Sequence, residues 1–407
     1  MYPTLFKIPF LPEGWADIKS YGAMMTVAFL GGIWLACRRA LRVRADPDVV
    51  INMGFIALIA GVVGARAFFV IHYWNDRFAN QPHPWWDALS IRAGGLEFWG
   101  GPLLVIPSLI VYLLVRRHSI RWYLDVTAPS LMFGMAMARI GCFLNGCCWG
   151  SICIDEHDPA RMARGLPWAV RYPYGSPAMS QQFDFGQLEL PKELQCYLPT
   201  GQVLPVPHDY LELSREEIDG PARDVRQAEE QLETLRRSGA DEKALQAQSE
   251  QLKKLRQLAD ARQKAFNYYV DQNCKQYGLS VSELRDLSRH YPSRPTHPAP
   301  LYATVTGLIL YWVLDWMVYW RKRHGVVLGS MLILYSVARI FEEAIRQDNP
   351  LDALGLSWST VVSLTMIAVG LLWLVIMRAL PEKSPHAAPF YGLPEHDAPD
   401  GAEATAT

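Results

Sequence analysis

The sequence has no excess of charge of either sign. Its 39 Lys and Arg residues nearly balance its 40 Asp and Glu residues, which leaves a formal net charge of −1. A chain balanced in this way lacks the one-signed field that attracts nucleic acid or a strongly charged partner. We therefore predict no nucleic-acid partner.

Common targeting and metal-binding patterns are missing as well. The first dozen residues contain neither a basic start nor a long apolar core, so we predict no cleavable signal peptide and expect the first membrane span to direct insertion. The seven cysteines do not form the two CxxC pairs of a recognisable zinc motif. We predict no metal site and no cofactor.

Long uncharged runs are what the sequence does contain. Half of its residues are apolar, and the apolar runs are concentrated in residues 20–150 and 298–378. Seven of them can cross about 30 Å of hydrocarbon, and they cover residues 21–37, 49–74, 98–115, 126–154, 298–320, 325–345 and 353–377. The sequence thus predicts an all-α, polytopic membrane protein with about seven transmembrane helices.

The polar segments lie between and after these spans. Residues 1–150 and 298–378 are assigned to a membrane domain, 151–297 to a polar domain, and 379–407 to a disordered tail. Apolar residues recur at heptad spacing between residues 222 and 270, with Ser238 and Gly239 supplying a turn. This pattern predicts an antiparallel coiled-coil hairpin within the polar domain.

Basic residues next to the spans give the orientation. They cluster after the first, third and fifth spans, as Arg38, Arg39, Arg42 and Arg44, then Arg116, Arg117 and Arg121, then Arg321, Lys322 and Arg323. The excess of basic residues in cytoplasmic loops places these three loops inside the cell. The N-terminus and residues 151–297 are then expected outside the membrane, and the C-terminus in the cytoplasm.

Three predicted spans carry an arginine, and all three run from inside to outside. At 1.5 Å per residue, Arg66, Arg139 and Arg339 lie about 20–26 Å above the cytoplasmic ends of their spans, in the outer half of the bilayer. Three bidentate guanidiniums suit a phosphate, which in the outer leaflet belongs to a phospholipid headgroup. The alternatives are that Arg66 reaches the interface and that Arg339 pairs with Glu343, four residues later.

The third span opens on two glycine pairs around an aromatic residue. Gly94 and Gly95 precede Trp99, and Gly100 and Gly101 follow it. Glycine permits close approach of the backbone to a ligand or to a neighbouring helix. Both interpretations stay open on this pattern alone.

These residues, in this order, resemble the prolipoprotein diacylglyceryl transferase family. The resemblance covers all seven spans but not the coiled-coil hairpin. Six motifs carry it: Tyr21-Gly22, Gly64-Ala65-Arg66, Gly94-Gly95 with Gly100-Gly101, the stretch Arg139-Ile-Gly-Cys-Phe-Leu-Asn145-Gly146 with Trp149-Gly150, His297-Pro298 with Leu301-Tyr302, and Arg339, Glu343 and Arg346. It implies an enzyme of the bacterial inner membrane that moves the diacylglyceryl group of phosphatidylglycerol to the lipobox cysteine of a preprolipoprotein. The products would be a thioether and glycerol phosphate.

The same resemblance implies roles for individual residues. Arg139 and Arg339 would hold the lipid headgroup. Tyr21, Asn145, Gly150 and Glu343 would line or order the site. The chain departs from the family at Trp99, where many members have histidine, and at Cys142 and Cys147, where asparagine and glutamate are usual.

The departure at Trp99 leaves the proton acceptor open, because indole cannot take a proton. His297 is the first candidate for the base, since the ordinary pKa of histidine suits the task, although a histidine at a helix start is also a common cap. Glu97 and Glu343 are further candidates, and water or the lipid phosphate could also accept the proton.

Two other questions stay open from sequence. The cysteines outside the membrane are expected to form one or two disulfides or to pack as small apolar residues. A non-catalytic protein that binds lipid or lipoprotein precursors, and a transporter, are the alternative functions; no repeated half or pair of broken spans supports the transporter.

Overall fold

The computed structural model describes residues 4–7, 17–79, 84–89, 95–153, 166–198, 201–213, 215–237, 242–345, 351–353 and 356–387. The chain divides into two compact units. The body comprises residues 2–145 and 299–407, and the head comprises residues 146–298.

Helices dominate both units, and the few strands form three two-stranded antiparallel sheets among the described residues. The first part of the body contains β1 (Thr4–Lys7), β2 (Asp17–Lys19), α1 (Ser20–Arg42), α2 (Pro47–His72), α3 (Pro84–Leu89), α4 (Gly100–Val115) and α5 (Ile120–Asn145). The head contains α6 (Pro177–Asp184), β3 (Gln195–Tyr197), β4 (Val203–Pro205), α7 (His208–Leu211), α8 (Arg215–Arg237), α9 (Glu242–Phe266), α10 (Gln272–Tyr277) and α11 (Val281–Arg289). The second part of the body contains α12 (Ala299–Trp320), α13 (Val326–Glu343), β5 (Leu351–Ala353), β6 (Leu356–Ser357) and α14 (Trp358–Ala379).

Seven helices of the body match the seven predicted spans. Five of them, α1, α2, α5, α12 and α14, are long and apolar enough to cross a membrane. Helix α4 is apolar but has 16 residues, and α13 has 18 residues with Arg339, Glu342 and Glu343 near its end. The all-α, polytopic fold is confirmed.

The fourth span ends earlier than its uncharged run predicts. The prediction extended it to residue 154, whereas α5 ends at Asn145. Gly146 has a φ of 75° and Cys148 a φ of 61°, so the backbone is left-handed where a helix would have to continue. The second half of the arginine-containing signature is therefore a loop.

Helix α5 is central in the body, where α1, α4, α12 and α13 contact it. Small residues allow the close approaches. A Cβ added at Gly307 of α12 would lie 3.1 Å from the Cβ of Ala136, and one added at Gly141 of α5 would lie 3.3 Å from Cδ2 of Tyr21.

Buried ion pairs hold the basic ends of these helices together. The Nε of Arg39 lies 2.6 Å from Asp315, and its Nη1 donates to the carbonyl of Val126. Asp125 is fully buried, pairs with Arg321 at 3.0 Å and accepts from the backbone N–H of Gly325 at 2.7 Å, beside the N-terminus of α13. Removing one partner of such a pair leaves a buried charge and costs about 3–5 kcal/mol.

The head has its own apolar core and a pair of long helices. Its largest cluster comprises Tyr174, Met179, Leu190, Leu194, Cys196, Val206, Leu211, Phe266, Val270, Cys274 and Leu284. Helices α8 and α9 pack through Ala228, Leu232 and Leu252, and Glu229 pairs with Arg256 at 2.6 Å. They lie where the coiled-coil hairpin is predicted; its turn at Ser238-Gly239 falls outside the described residues.

Part of the predicted disordered tail is held against the body. Arg121 donates to the carbonyl of Pro381 at 3.0 Å, and the backbone N–H of His324 donates to the carbonyl of Glu382 at 3.0 Å. The tail beyond residue 387 lies outside the described residues.

Candidate functional site

A cleft opens in the body between α5, α12 and α13. Its lining combines apolar side chains with four polar groups that come from all three helices: Met135, Arg139, Ala303, Thr306, Gly307, Leu310, Tyr335 and Glu342. Gly307 lies at a close approach of α12 to α5, since a Cβ there would be 3.2 Å from the carbonyl oxygen of Met132. The cleft therefore lies next to the contact between α5 and α12, and its lining includes the charged side chains of Arg139 and Glu342.

Arg139 is the charged group that α5 supplies to this cleft. Its side chain is half-buried, and within the part of the chain that the structure describes no hydrogen bond or ion pair engages its guanidinium. A guanidinium with donors to spare in apolar surroundings is a strong site for an oxyanion, which it binds with two parallel hydrogen bonds.

Arg339 is differently placed, because acids of its own helix neutralise it. Its Nη2 lies 2.9 Å from Glu343 and its Nη1 lies 3.9 Å from Glu342. All three side chains are largely buried, with 10% to 16% of each exposed. The alternative in which Arg339 pairs with Glu343 is therefore observed, and the carboxylate of Glu343 is thereby engaged.

Tyr335 lies within electrostatic range of both Arg139 and Arg339. It lines the cleft one turn before Arg339, and its hydroxyl lies within range of the charges of Arg139, Arg339 and Glu342. Sequence reasoning missed Tyr335 and Glu342. Their spacing from Arg339, four residues before it and three after it, was a usable signal, because such residues share one face of a helix.

Arg66 is not among the residues that line this cleft. Only 8% of it is exposed. Its Nε donates to the carbonyl of Ala88 at 2.8 Å, its Nη2 to that of Asp87 at 2.8 Å, and its Nη1 to that of Gly95 at 2.9 Å. The guanidinium thus holds the segment after α2 by its backbone, an arrangement that favours a structural role.

Among the described glycines at the start of α4, Gly95 and Gly100 pack closely against α2. A Cβ added at Gly100 would lie 2.2 Å from the carbonyl oxygen of Gly64, and one added at Gly64 would lie 2.3 Å from that of Gly100. Gly95 has a φ of 84°, and a Cβ there would lie 2.3 Å from the ring of Phe69. Gly94 lies outside the described residues.

The other residues of this segment are less enclosed. Gly101 has more room than Gly100, with the nearest atom 3.6 Å from an added Cβ. Trp99 is 41% exposed. Glu97 pairs with Nδ1 of His72 at 3.0 Å, so this candidate base already has a partner.

Two predicted site residues lie at the ends of α1 and α5. Tyr21 is in the first turn of α1 and packs beside Gly141, with 42% of its surface exposed. Asn145 is the last residue of α5, half-buried. Tyr21 thus lies near the start of one long apolar helix, and Asn145 at the end of another.

His297 and Gly150 belong to the head, where their backbones pair. The N–H of Gly150 donates to the carbonyl of His297 at 2.9 Å, and the N–H of His297 donates to the carbonyl of Ser151 at 2.9 Å. Burial lowers the pKa of His297 below its ordinary value of 6.5, because an apolar environment disfavours the imidazolium. Its imidazole is therefore neutral, and able to accept a proton, at physiological pH.

The head contains thiols rather than the expected disulfides. Cys153, Cys196 and Cys274 are buried free thiols. Burial raises the pKa of each, which leaves the neutral, unreactive form. For these three residues, apolar packing is the correct alternative.

Comparison of the sequence with known proteins identifies the family to which the chain belongs. A family model described as prolipoprotein diacylglyceryl transferase matches residues 4–376. A phosphatidylglycerol–prolipoprotein diacylglyceryl transferase of Vibrio cholerae is 32% identical over 188 residues, which is 45% of this chain and 62% of that protein. Proteins of the same name from Rhodopirellula baltica and Pseudoalteromonas translucida are 30% and 29% identical over 177 residues, covering 33% and 59% of their own lengths. The matched parts thus span less than two thirds of these relatives.

Proposed function

Since the chain belongs to the prolipoprotein diacylglyceryl transferase family, we propose that it transfers the diacylglyceryl group of phosphatidylglycerol to the lipobox cysteine of preprolipoproteins. In this reaction a carbon–sulfur bond forms at the glyceryl carbon while the bond from that carbon to the phosphate oxygen breaks. The products are a thioether-linked lipid and glycerol phosphate.

The guanidinium of Arg139, which no described residue engages, is the observation that supports this proposal most. The lipid phosphate gains negative charge as the carbon–oxygen bond breaks, so a bidentate donor at the phosphate stabilises the transition state more than the bound lipid. In our proposal Arg139 binds the phosphate in the cleft. Arg339 is proposed to contact the headgroup as well, with its own charge balanced by Glu342 and Glu343.

The thiol must lose its proton to become the nucleophile. We propose that His297 accepts this proton, because burial lowers its pKa and keeps the imidazole neutral, whereas the indole of Trp99 cannot take a proton. Tyr21, Asn145 and Gly150 are proposed to order the site, with Gly94, Gly95, Gly100 and Gly101 fixing the start of α4.

We further propose that the protein lies in the bacterial inner membrane with its head outside and its C-terminus in the cytoplasm. The three basic loops between spans support this orientation. Phosphatidylglycerol would then enter from the outer leaflet, and the secreted precursor would present its cysteine on the same side.

The test is a transfer assay with purified full-length protein, labelled phosphatidylglycerol and a lipobox peptide. We expect a thioether-linked product from the native chain. Arg139→Ala should lower the rate by at least about 10²-fold, and Arg139→Lys by nearly as much, because lysine keeps the charge but loses the bidentate contact.

Arg237→Ala is the control, since this arginine lies on the hairpin with 83% of its side chain exposed, and it should retain the native rate. If the native protein formed no product in the presence of labelled phosphatidylglycerol and the lipobox peptide, the proposed enzymatic activity would be contradicted. If labelled phosphatidylglycerol still bound under those conditions, the non-catalytic lipid-binding alternative would replace it.

A further inference from the structure

Two adjacent cysteines form a close thiol pair in the head, in the loop after α5. Cys147 and Cys148 are both half-buried, and their sulfur atoms lie within 4.8 Å of one another. Cys148 has a φ of 61°, a backbone conformation that non-glycine residues rarely adopt. The transfer reaction proposed above uses neither thiol.

A buried tyrosine hydroxyl lies within electrostatic range of this pair. Tyr172 is 0% exposed, and among the described residues its hydroxyl makes no hydrogen bond. Leaving a buried hydroxyl unsatisfied costs about 1–3 kcal/mol, so this group requires an acceptor. A phenol keeps its proton at neutral pH, so the Tyr172 hydroxyl acts as a donor.

The position of Tyr172 is fixed by its backbone. Its N–H donates to Oγ of Ser293 at 2.8 Å, and its carbonyl accepts from the N–H of Ser293 at 2.8 Å. Thr296 pairs in turn with Val170 and is fully buried. These contacts hold the backbone of Tyr172 in place.

Thiolate formation would satisfy this hydroxyl, because a thiolate sulfur is a much better hydrogen-bond acceptor than a neutral thiol. A bound soft cation produces thiolates at neutral pH by displacing the thiol protons. Two sulfurs at this separation match the preference of d¹⁰ ions such as Zn²⁺, whose bonds to sulfur are about 2.3 Å long.

We propose that Cys147 and Cys148 bind one soft d¹⁰ cation of the Zn²⁺ class as thiolates, with the Tyr172 hydroxyl donating a hydrogen bond to one of the sulfurs. Two sulfur ligands make a weaker and more exchangeable site than a structural four-ligand site. The proposal replaces the sequence-based expectation of no metal site, and it does not depend on the transfer activity.

Titration of the reduced full-length protein with Cd²⁺ tests the site, because cadmium bound to thiolate has a charge-transfer absorption in the ultraviolet. We expect one Cd²⁺ per chain with this absorption, displaced by Zn²⁺. Cys147→Ser and Cys148→Ser should each abolish the saturable band. Cys153→Ala should retain it, since Cys153 is a buried free thiol of the same loop.

Tyr172→Phe separates the hydrogen bond from the sulfur ligands. It should keep the absorption band while weakening Cd²⁺ binding by about tenfold, a typical loss for a group that supports a metal ligand. An unchanged affinity in Tyr172→Phe would overturn the role of the hydroxyl. Absence of the band in the native protein, or its survival in the double variant C147S/C148S, would overturn the site.

Alkylation of the native chain provides a second measurement if a serine variant does not fold. Cys147 and Cys148 should react at least about tenfold more slowly with a thiol reagent when Zn²⁺ is present, because a metal-bound thiolate is withdrawn from reaction. Equal rates of alkylation with and without Zn²⁺, read by mass spectrometry at each cysteine, would contradict the proposal.

Discussion

At the scale of single residues, burial and local partners decide what each arginine can do. Arg66 and Arg139 both lie on apolar helices of the body. The donors of Arg66 reach three backbone carbonyls, whereas the guanidinium of Arg139 lines a cleft without an engaged partner among the described residues. The first is suited to hold a loop and the second to hold an anion.

Arg66→Ala should therefore loosen the segment that Arg66 holds. We expect amide hydrogen exchange in residues 84–89 and 95–98 to accelerate by at least about tenfold, and stability to fall by about 2–3 kcal/mol, because hydrogen bonds from a charged donor to buried carbonyls are lost. Arg116→Ala, at an exposed position after α4, is the control and should change neither. A raised KM for phosphatidylglycerol with unchanged exchange would indicate that Arg66 binds the lipid directly.

His297 predicts the pH dependence of transfer. Because burial lowers its pKa below 6.5, the neutral base should persist as the pH falls through 6.5, and the rate should drop only below that value. His297→Gln should lower the plateau by about 10²–10³-fold and remove this acid limb.

His290→Gln serves as the matched control, since His290 is an exposed histidine of the same unit. Its pH profile should match that of the native protein. An acid limb that persists unchanged in His297→Gln would assign the base to another group.

At the scale of secondary structure elements, glycine sets the distance between α2 and α4. The atoms nearest to an added Cβ at Gly64 and Gly100 are backbone atoms of the facing helix, which cannot rotate aside as a side chain can. Helix α2 and the start of α4 are therefore held together by a contact that no other residue type permits.

Gly100→Ala should separate these helices and destabilise the protein by about 1–3 kcal/mol. Gly101→Ala is the neighbouring control, with its nearest contact at an ordinary 3.6 Å, and should change stability by less than about 0.5 kcal/mol. Thermal unfolding in detergent measures both. Equal stability of the two variants would show that α4 can shift without cost.

At the scale of the whole molecule, the placement of the head across the membrane is open to direct measurement. In a cysteine-depleted background, Leu258→Cys lies on the hairpin at a position that is 60% exposed. Lys322→Cys lies at an exposed position in the basic loop between α12 and α13. An impermeant thiol reagent added to cells with a permeabilised outer barrier should label the first and not the second.

Lysis should then make Lys322→Cys reactive, which controls for accessibility of the loop itself. Labelling of Lys322→Cys in intact cells together with protection of Leu258→Cys would invert the proposed orientation.

The sequence by itself determined the all-α, polytopic architecture, and it predicted which spans carry an arginine and where a heptad pattern lies. Each of these depends on hydrophobic periodicity or on the high cost of charge in hydrocarbon, and both are properties of local composition. The pairing of Arg339 with Glu343 was likewise predictable, because four residues in a helix is one turn.

Only the tertiary structure decided which arginine is engaged and where the fourth span ends. Arg66 is satisfied by carbonyls more than 20 residues away, and Arg39, counted among the surface charges of a basic loop, is buried against Asp315 of α12. Tyr172, which lies near Cys147 and Cys148, is likewise distant in sequence, 24 residues after Cys148. A buried polar group is hydrogen-bonded by whichever residues the fold places beside it, and these can be distant in sequence. The local sequence around the group therefore does not show which partner it will have.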